Sequence, residues 1–495
     1  MIEKVRHKGL ALAILAAAQF MVVLDATIVN VALPAVQKAL GFTSDAQLQW
    51  VVTAYALAFG GFLLLGGRLA DLFGRRKLFF AGVIIFALSS LAAGFAQDPT
   101  QMIIFRALQG LGGAFLSPAA MSLILTIFTE AKERNRALGV WGMVAAGGGA
   151  VGLLLGGVLT QYVDWRWIFF INVPIGLAVV LAARAYVPAS LPRERERVDI
   201  LGAVTITGSL MALVYALAQA AEKGWGAGIT LASFAAAIIL MAVFIINELR
   251  IKHPLIRLSI FRQRNVSGAS IMQLLMPAAM FGFFFYMSIY MQQILGYSPV
   301  KTGLANLPFT MTIMTVAGVL SSRAHKLNPK IVLSIAPLLV TAGLLYFSRL
   351  PVDAHYVTDI LPGIILMAAG MASVFVTATI AATNGVAHNE SGLVSGLLNT
   401  GQQIGGAIGL AALTVVSTAA TKDYMASHMP ATARTMAEGM VTGFHHGFVL
   451  AAGFAVLSSL VAITVFKIKP FKDDDLTPDE RRALQSEESM PLPGA

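Results

Sequence analysis

From Gly9 to Phe466 the chain is a succession of apolar runs, each about 20 residues long and separated by short polar turns. A helix of that length rises 1.5 Å per residue and crosses about 30 Å of hydrocarbon. A water-soluble chain of 495 residues would instead break into several domains, with roughly a quarter of its residues charged. Here 12% are charged and 57% hydrophobic, too little polar surface to dissolve the chain. No stretch alternates polar and apolar residues over successive strand lengths, which excludes a β-barrel. The 46 glycines and 21 methionines suit close helix approach and adaptable surfaces. The expected fold is an all-α membrane bundle.

Fourteen spans are expected, near residues 9–34, 49–70, 78–96, 101–128, 137–160, 167–187, 200–221, 228–247, 267–292, 300–321, 331–348, 357–383, 396–420 and 441–466. Lys4, Arg6 and Lys8 before the first run resemble the start of a signal peptide. The run continues to Pro34 without a small-residue cleavage site, so it reads as a retained first span. With the amino terminus inside, about 26 of the 35 Lys and Arg residues fall in cytoplasmic segments and about 7 outside, as the positive-inside rule expects. Shifting the parity by one would export Gly74–Lys77 (GRRK) and the basic stretch Arg250–Arg264. Both termini are therefore expected on the cytoplasmic side of a bacterial plasma (inner) membrane. The net charge of +10 reads as a topology signal, with lipid binding as the lesser alternative and nucleic acid not expected as a partner. Without cysteine there are neither disulfides nor thiolate metal sites. After Lys472 the chain turns acidic and polar, and a mobile tail with at most a short helix after Thr477 is expected.

The turn between spans 2 and 3 reads Gly67-Arg68-Leu69-Ala70-Asp71-Leu72-Phe73-Gly74-Arg75-Arg76-Lys77. Gly67 permits close helix approach and Gly74 a tight turn, while Asp71 sits among cations that can neutralise it. In this Gly-x-x-x-Asp-x-x-Gly-Arg-Arg pattern the chain resembles the major facilitator superfamily. The resemblance implies that Gly67, Asp71, Gly74, Arg75 and Arg76 form a latch, Asp71 contacting a helix end in the other half; the alternative is a solvated basic loop. A weaker echo, Gly318–Ser322 followed by Arg323, Lys326 and Lys330, places Ser322 where Asp71 stands. Related halves of this kind are common in transporters. If spans 1–6 and 9–14 are the two six-helix bundles, spans 7 and 8 are an inserted two-helix hairpin. That count resembles the fourteen-span drug:proton antiporter branch, as do Leu24–Pro34 (LDATIVNVALP), Arg106–Ala114 (RALQGLGGA) and Trp165–Gly176 (WRWIFFINVPIG). The expected division is an amino-terminal bundle over 1–188, the insert and linkers over 189–265, a carboxyl-terminal bundle over 266–467 and a cytoplasmic tail over 468–495. Two positions depart from the pattern. Leu153 stands where the antiporter signature of span 5 usually has Pro, and Gln402 stands where relatives often have Arg. Gly148, Gly152 and Gly156, with Gly157 beside the last, still make a small-residue stripe. It serves either tight packing alone or a block against proton leak.

Asp25 and Arg106 are the charges placed deepest, and an ionisable group inside the membrane is a functional candidate. Asp25 lies about 24 Å from the cytoplasmic start of span 1, and Arg106 about 8 Å from the outer start of span 4. In a core about 30 Å thick both reach the same depth, so a direct or water-bridged pair is feasible. Two roles stay open: Asp25 exchanging a proton against substrate or Arg106, or a static ion pair joining spans 1 and 4. Candidates for a broad apolar pocket are Met21 on span 1, Gln109 on span 4, Met276, Met280, Phe284 and Met287 on span 9, and Asn399 and Gln403 on span 13. Helix packing is the competing explanation of the span 9 stripe.

The expected activity is proton-coupled export of amphipathic drugs by alternating access of two bundles. The partners are the bilayer, a small amphipathic substrate and protons, and no cofactor is expected beyond the proton gradient. The alternative is a dedicated exporter of one natural product or anionic amphiphile, with a periplasmic adaptor as a further partner. An ATP-driven pump would need a P-loop, and the sequence has no G-x-x-x-x-G-K-[ST]. An enzyme would need a cluster of acids, histidines or metal ligands within the membrane; the tightest histidine pair, His445-His446, has no acid beside it in sequence.

Overall fold

The computed structural model describes residues 7–128, 130–188, 199–251, 254–256, 258–322, 328–383, 391–428 and 432–466. Among these residues every regular element is helical. Lipid offers no hydrogen-bond partners to a bare backbone, so each crossing must satisfy its own N–H and C=O groups. The long helices are α1 (Lys8–Leu40), α2 (Trp50–Phe73), α3 (Arg75–Gly94), α4 (Pro99–Ile127), α5 (Ala131–Tyr162), α6 (Asn172–Tyr186) and α7 (Ile200–Lys223). They continue as α8 (Gly228–Arg250), α9 (Arg264–Ile289), α10 (Pro299–Ser322), α11 (Pro329–Phe347), α12 (Leu361–Thr383), α13 (Ser391–Ser427) and α14 (Ala433–Val465). Thirteen stretches are, among the described residues, long and apolar enough to span, the sixth place being filled by α6 together with the short helix Trp167–Phe170 before it; α5, with 32 residues, occupies the place of the fifth span.

Local chemistry sets the ends of these helices. Asp98 caps α4 by accepting the Gln101 N–H at 2.9 Å, with Pro99 in the first turn where its missing N–H costs nothing. Gly41 closes α1 in the left-handed conformation, φ 72°. Several helices outrun the apolar stretches that announce them. The first span, expected to end at Pro34, continues to Leu40, and α13 reaches Ser427. The last begins at Ala433 rather than near 441, started by a Thr432–Thr435 capping box. The polar ends of α13 and α14 support each other, the Tyr424 hydroxyl donating to Glu438 at 3.0 Å. Hydropathy reports the lipid-buried length of a helix, and such pairs extend it into water.

The packing repeats with two-fold pseudosymmetry. In the first half α1 packs on α5 and α6, and α4 on α2 and α3; in the second, α9 packs on α13 and α14, and α12 on α10 and α11. The halves meet through two equivalent pairs, α5 with α10 and α2 with α13, and through α1 with α9. Hairpin α7–α8 leans on α2 and α13 from outside, and α8 shows Ile238 (69% exposed) and Leu249 (70%) to the surroundings, as a lipid-facing helix should. Hydrogen bonds between the halves occur at the face opposite residue 8. Ser288 Oγ donates to Asn30 O at 2.5 Å, Gln292 Nε2 to Val31 O at 2.8 Å, and Gln293 Nε2 to Gln37 Oε1 at 2.9 Å.

Candidate functional site

Asp25 stands midway along α1 with none of its surface exposed, inside the first half. A carboxylate there is tolerable only if its oxygens are met by donors. Three side chains do so. Arg106 Nη1 of α4 donates to Oδ2 at 2.6 Å, Gln109 Nε2 of α4 to Oδ1 at 2.7 Å, and Asn172 Nδ2 of α6 to Oδ1 at 2.9 Å. The guanidinium is in turn fixed by α2. Its Nε donates to Val51 O at 2.9 Å, and its carbon lies 4.4 Å from the Tyr55 ring centroid, a cation–π contact. Nη1 also donates to Gln109 Oε1 at 2.8 Å. A second layer holds Asn172, which donates to Ser90 Oγ of α3 at 3.0 Å while Ser90 donates to Phe169 O at 2.8 Å. Five helices thus converge on one ion pair.

Both charges are enclosed, Asp25 at 0% and Arg106 at 1% exposure, so their attraction is little screened. Removing either charge would strand the other. Two polar atoms around the pair, Tyr55 Oη and Asn172 Oδ1, have no hydrogen-bond partner among the described residues.

The depth arithmetic thus brings Asp25 and Arg106 into direct contact, with Gln109 beside them. Sequence reasoning missed Asn172, Ser90 and Tyr55. Asn172 lay inside the quoted Trp165–Gly176 motif, where a single amide in an apolar run was the available signal; Ser90 and Tyr55 offered none.

The glycine stripe of α5 faces α1 at the level of the ion pair. Gly148 lies against Val23 and Phe20, Gly152 against Thr27 and the Leu24 carbonyl, and Gly156 against Ile28. Gly157, one residue on, turns instead to the Pro299 carbonyl of α10, and Leu153 O lies against Gly303 of the same helix. One helix therefore packs its own half on one side and the opposite half on the other.

In the basic turn Gly74 has φ 96°, a value that L side chains rarely adopt. Gly67 approaches Pro118 of α4. Arg75 donates to Thr126 Oγ1 and to Ser122 O, and Arg76 to Arg184 O of α6 at 2.7 Å. These contacts tie the turn to α4 and α6 of its own half. The Asp71 and Ser322 side chains, and Arg323 and Lys326, lie outside the described residues, as does the tail from 468.

The pocket candidates separate into two groups. Met21, Met276 and Met287 are fully enclosed by neighbouring helices and have no surface to offer in this conformation. Met280, Phe284, Asn399 and Gln403 keep some accessibility, and Gln403 lies beside Gly60 of α2, at the seam between halves. A stripe repeating every three or four residues marks one side of a helix but not what covers it, and α9 is covered by α12, α13 and α14.

A two-fold bundle of membrane-spanning helices with a charged pair buried in one half defines a secondary transporter. The sequence pattern of the Major Facilitator Superfamily matches residues 15–410, and the chain belongs to that superfamily. It is 42% identical to a puromycin resistance protein of Streptomyces alboniger, over 90% of this chain and 88% of the relative. It is 37% identical to a cephamycin export protein of Amycolatopsis lactamdurans, over 84% and 87%. Among solved structures it superposes on a POT-family transporter with a TM-score of 0.67 at 16% identity, covering 93% of this chain and 97% of that one. A bacterial homologue of the lysosomal transporter Spinster, inward-facing and unoccupied, gives 0.65 at 15%, over 94% and 99%. At such identities these likenesses speak for the fold.

Proposed function

We propose that the protein is a proton-coupled exporter of amphipathic drugs, working by alternating access. The observation that carries this reading is the enclosed Asp25–Arg106 pair on a helix that also reaches the other half. Asn30, which accepts from Ser288 of α9, is five residues or about 7.5 Å along α1 from Asp25. Protonating Asp25 would cancel the charge that holds Arg106, and the donors of Gln109 and Asn172 would then face a neutral acid. The strain passes along α1 to its seams with α5 and α9. The gradient supplies the proton from outside, and the cytoplasm receives it.

Both termini are taken to be cytoplasmic, which makes the hydrogen-bonded face the outer one and the structure an inward-facing state. Substrate would enter between the halves near Met280, Phe284, Asn399 and Gln403, where apolar surface mixes with a few adaptable amides. The basic turn around Gly74 serves the opposite state as a latch. Relatives named for export or resistance to drugs support the substrate class.

A second reading rests on those same names, several of which specify one antibiotic: a dedicated exporter of a single natural product, served by a periplasmic adaptor if the cell has an outer membrane. The two are separated by expressing the protein in a pump-deficient host. Susceptibility to unrelated cationic and neutral drugs, together with dye efflux before and after a protonophore, is then measured. Broad protection abolished by the protonophore is expected; protection against one compound alone would move the assignment to the second reading.

A further inference from the structure

The inserted hairpin carries an acidic pair that the transport cycle described above does not use. Asp199 precedes α7 and Glu248 closes α8, both on the face of residue 8, at 3% and 5% exposure. Three of their four carboxyl oxygens are met by N–H donors. Gly202 N donates to Asp199 Oδ1 at 2.8 Å, Asn247 Nδ2 to Asp199 Oδ2 at 2.7 Å, and Ile256 N to Glu248 Oε2 at 3.1 Å. The fourth, Glu248 Oε1, has no donor among the described residues. Both carboxyls crowd Gly202: a Cβ there would collide with Asp199 Oδ2 and stand 2.8 Å from Glu248 Oε1.

Two ionised carboxylates this close and this enclosed repel one another. A metal ion would want a shell of acceptor oxygens, whereas the groups aimed at this pair are N–H donors. Among the described residues, the groups facing Glu248 are the Asp199 carboxyl and the backbone N–H of Ile256, while Lys252, His253 and Arg257 of the same linker lie outside those residues. From α2, Leu65 and Leu69 pack with Ala203, Leu255 and Ile256. Arg250 is exposed and leaves the helix about 200° around from Glu248. A hydrogen on one of the two carboxyls would supply the missing donor and remove one of the facing charges.

We propose that Asp199 and Glu248 form a second proton-binding site, a carboxyl–carboxylate pair sharing one proton between Oε1 and the Asp199 carboxyl. The shared proton clasps the start of α7, the end of α8 and the linker to α9 into one unit, against which α2 leans. Releasing the proton leaves two facing negative charges and opens the clasp. The site is separate from Asp25 and stands whether or not Asp25 carries the transported proton.

The test is infrared difference spectroscopy of the full-length protein in lipid at neutral pH. Wild type is expected to show the carbonyl stretch of a protonated carboxylic acid, absent in Glu248→Gln and retained in Asp25→Asn. The glutamine reproduces the shape of the protonated acid, so the fold is expected to survive. Should Glu248→Gln fail to assemble, Asp199→Asn carries the same test, because its amide supplies the missing donor and lets Glu248 ionise. A wild-type spectrum without that band, or a band that both Glu248→Gln and Asp199→Asn leave in place, overturns the proposal.

Discussion

Asp25 accepts three hydrogen bonds and Arg106 is held by groups from three helices, so removing either charge leaves the other buried without its partner. Breaking a buried pair by removing one partner costs about 3–5 kcal/mol, whereas replacing both with neutral groups costs far less. Arg106→Leu should therefore lower the thermal midpoint of the purified protein sharply, and the Asp25→Asn/Arg106→Leu double variant should recover much of the loss. Equal destabilisation in the two would mean the pair is not coupled. Asn172→Ala removes one donor from Asp25 and should cost about 1–3 kcal/mol, also visible in the melting midpoint. That Asp25 and Arg106 meet was legible from counting residues along two spans. The role of Asn172 was not, because an amide inside an apolar run announces itself without naming its partner, which here lies 147 positions away.

Helix α5 shows what an element adds to its residues. Its glycines let α1 and α10 approach on adjacent sides, so a side chain at these positions acts as a wedge. A Cβ on Gly156 would stand 2.7 Å from Ile28 O, and one on Gly157 2.7 Å from Pro299 O. Gly156→Val should cost about 1–3 kcal/mol by overpacking and should block efflux, while Gly147→Ala, with nothing within 4 Å, should leave efflux and melting unchanged. The stripe was readable in the sequence as small residues every fourth position; the change of partner between Gly156 and Gly157 was not, since it depends on how the halves dock. The methionine stripe of α9 teaches the converse. Met276 and Met287 share its spacing with Met280 and Phe284, yet only the latter two keep accessible surface, because other helices close over the rest.

Across the whole molecule, the number and order of spans followed from hydropathy, because lipid forces each apolar run into one self-satisfied helix. How the halves sit against each other is a matter of state, and a sequence encodes more than one. The chain has no native cysteine, so paired cysteines can fix the state seen here. Gln37 and Gln293 meet across the halves at 2.9 Å. In Gln37→Cys/Gln293→Cys, oxidation should abolish efflux and a reductant should restore it; efflux that survives quantitative cross-linking would show that this face never opens.

We propose that a proton taken up and released at Asp25 drives export. This is tested most directly in proteoliposomes holding wild type or Asp25→Asn, by following a lipophilic dye under an imposed proton gradient, with and without valinomycin. Wild type should accumulate dye against its own gradient, and Asp25→Asn, though folded and able to bind dye, should only equilibrate it. Uphill accumulation by Asp25→Asn at the wild-type rate would contradict the account.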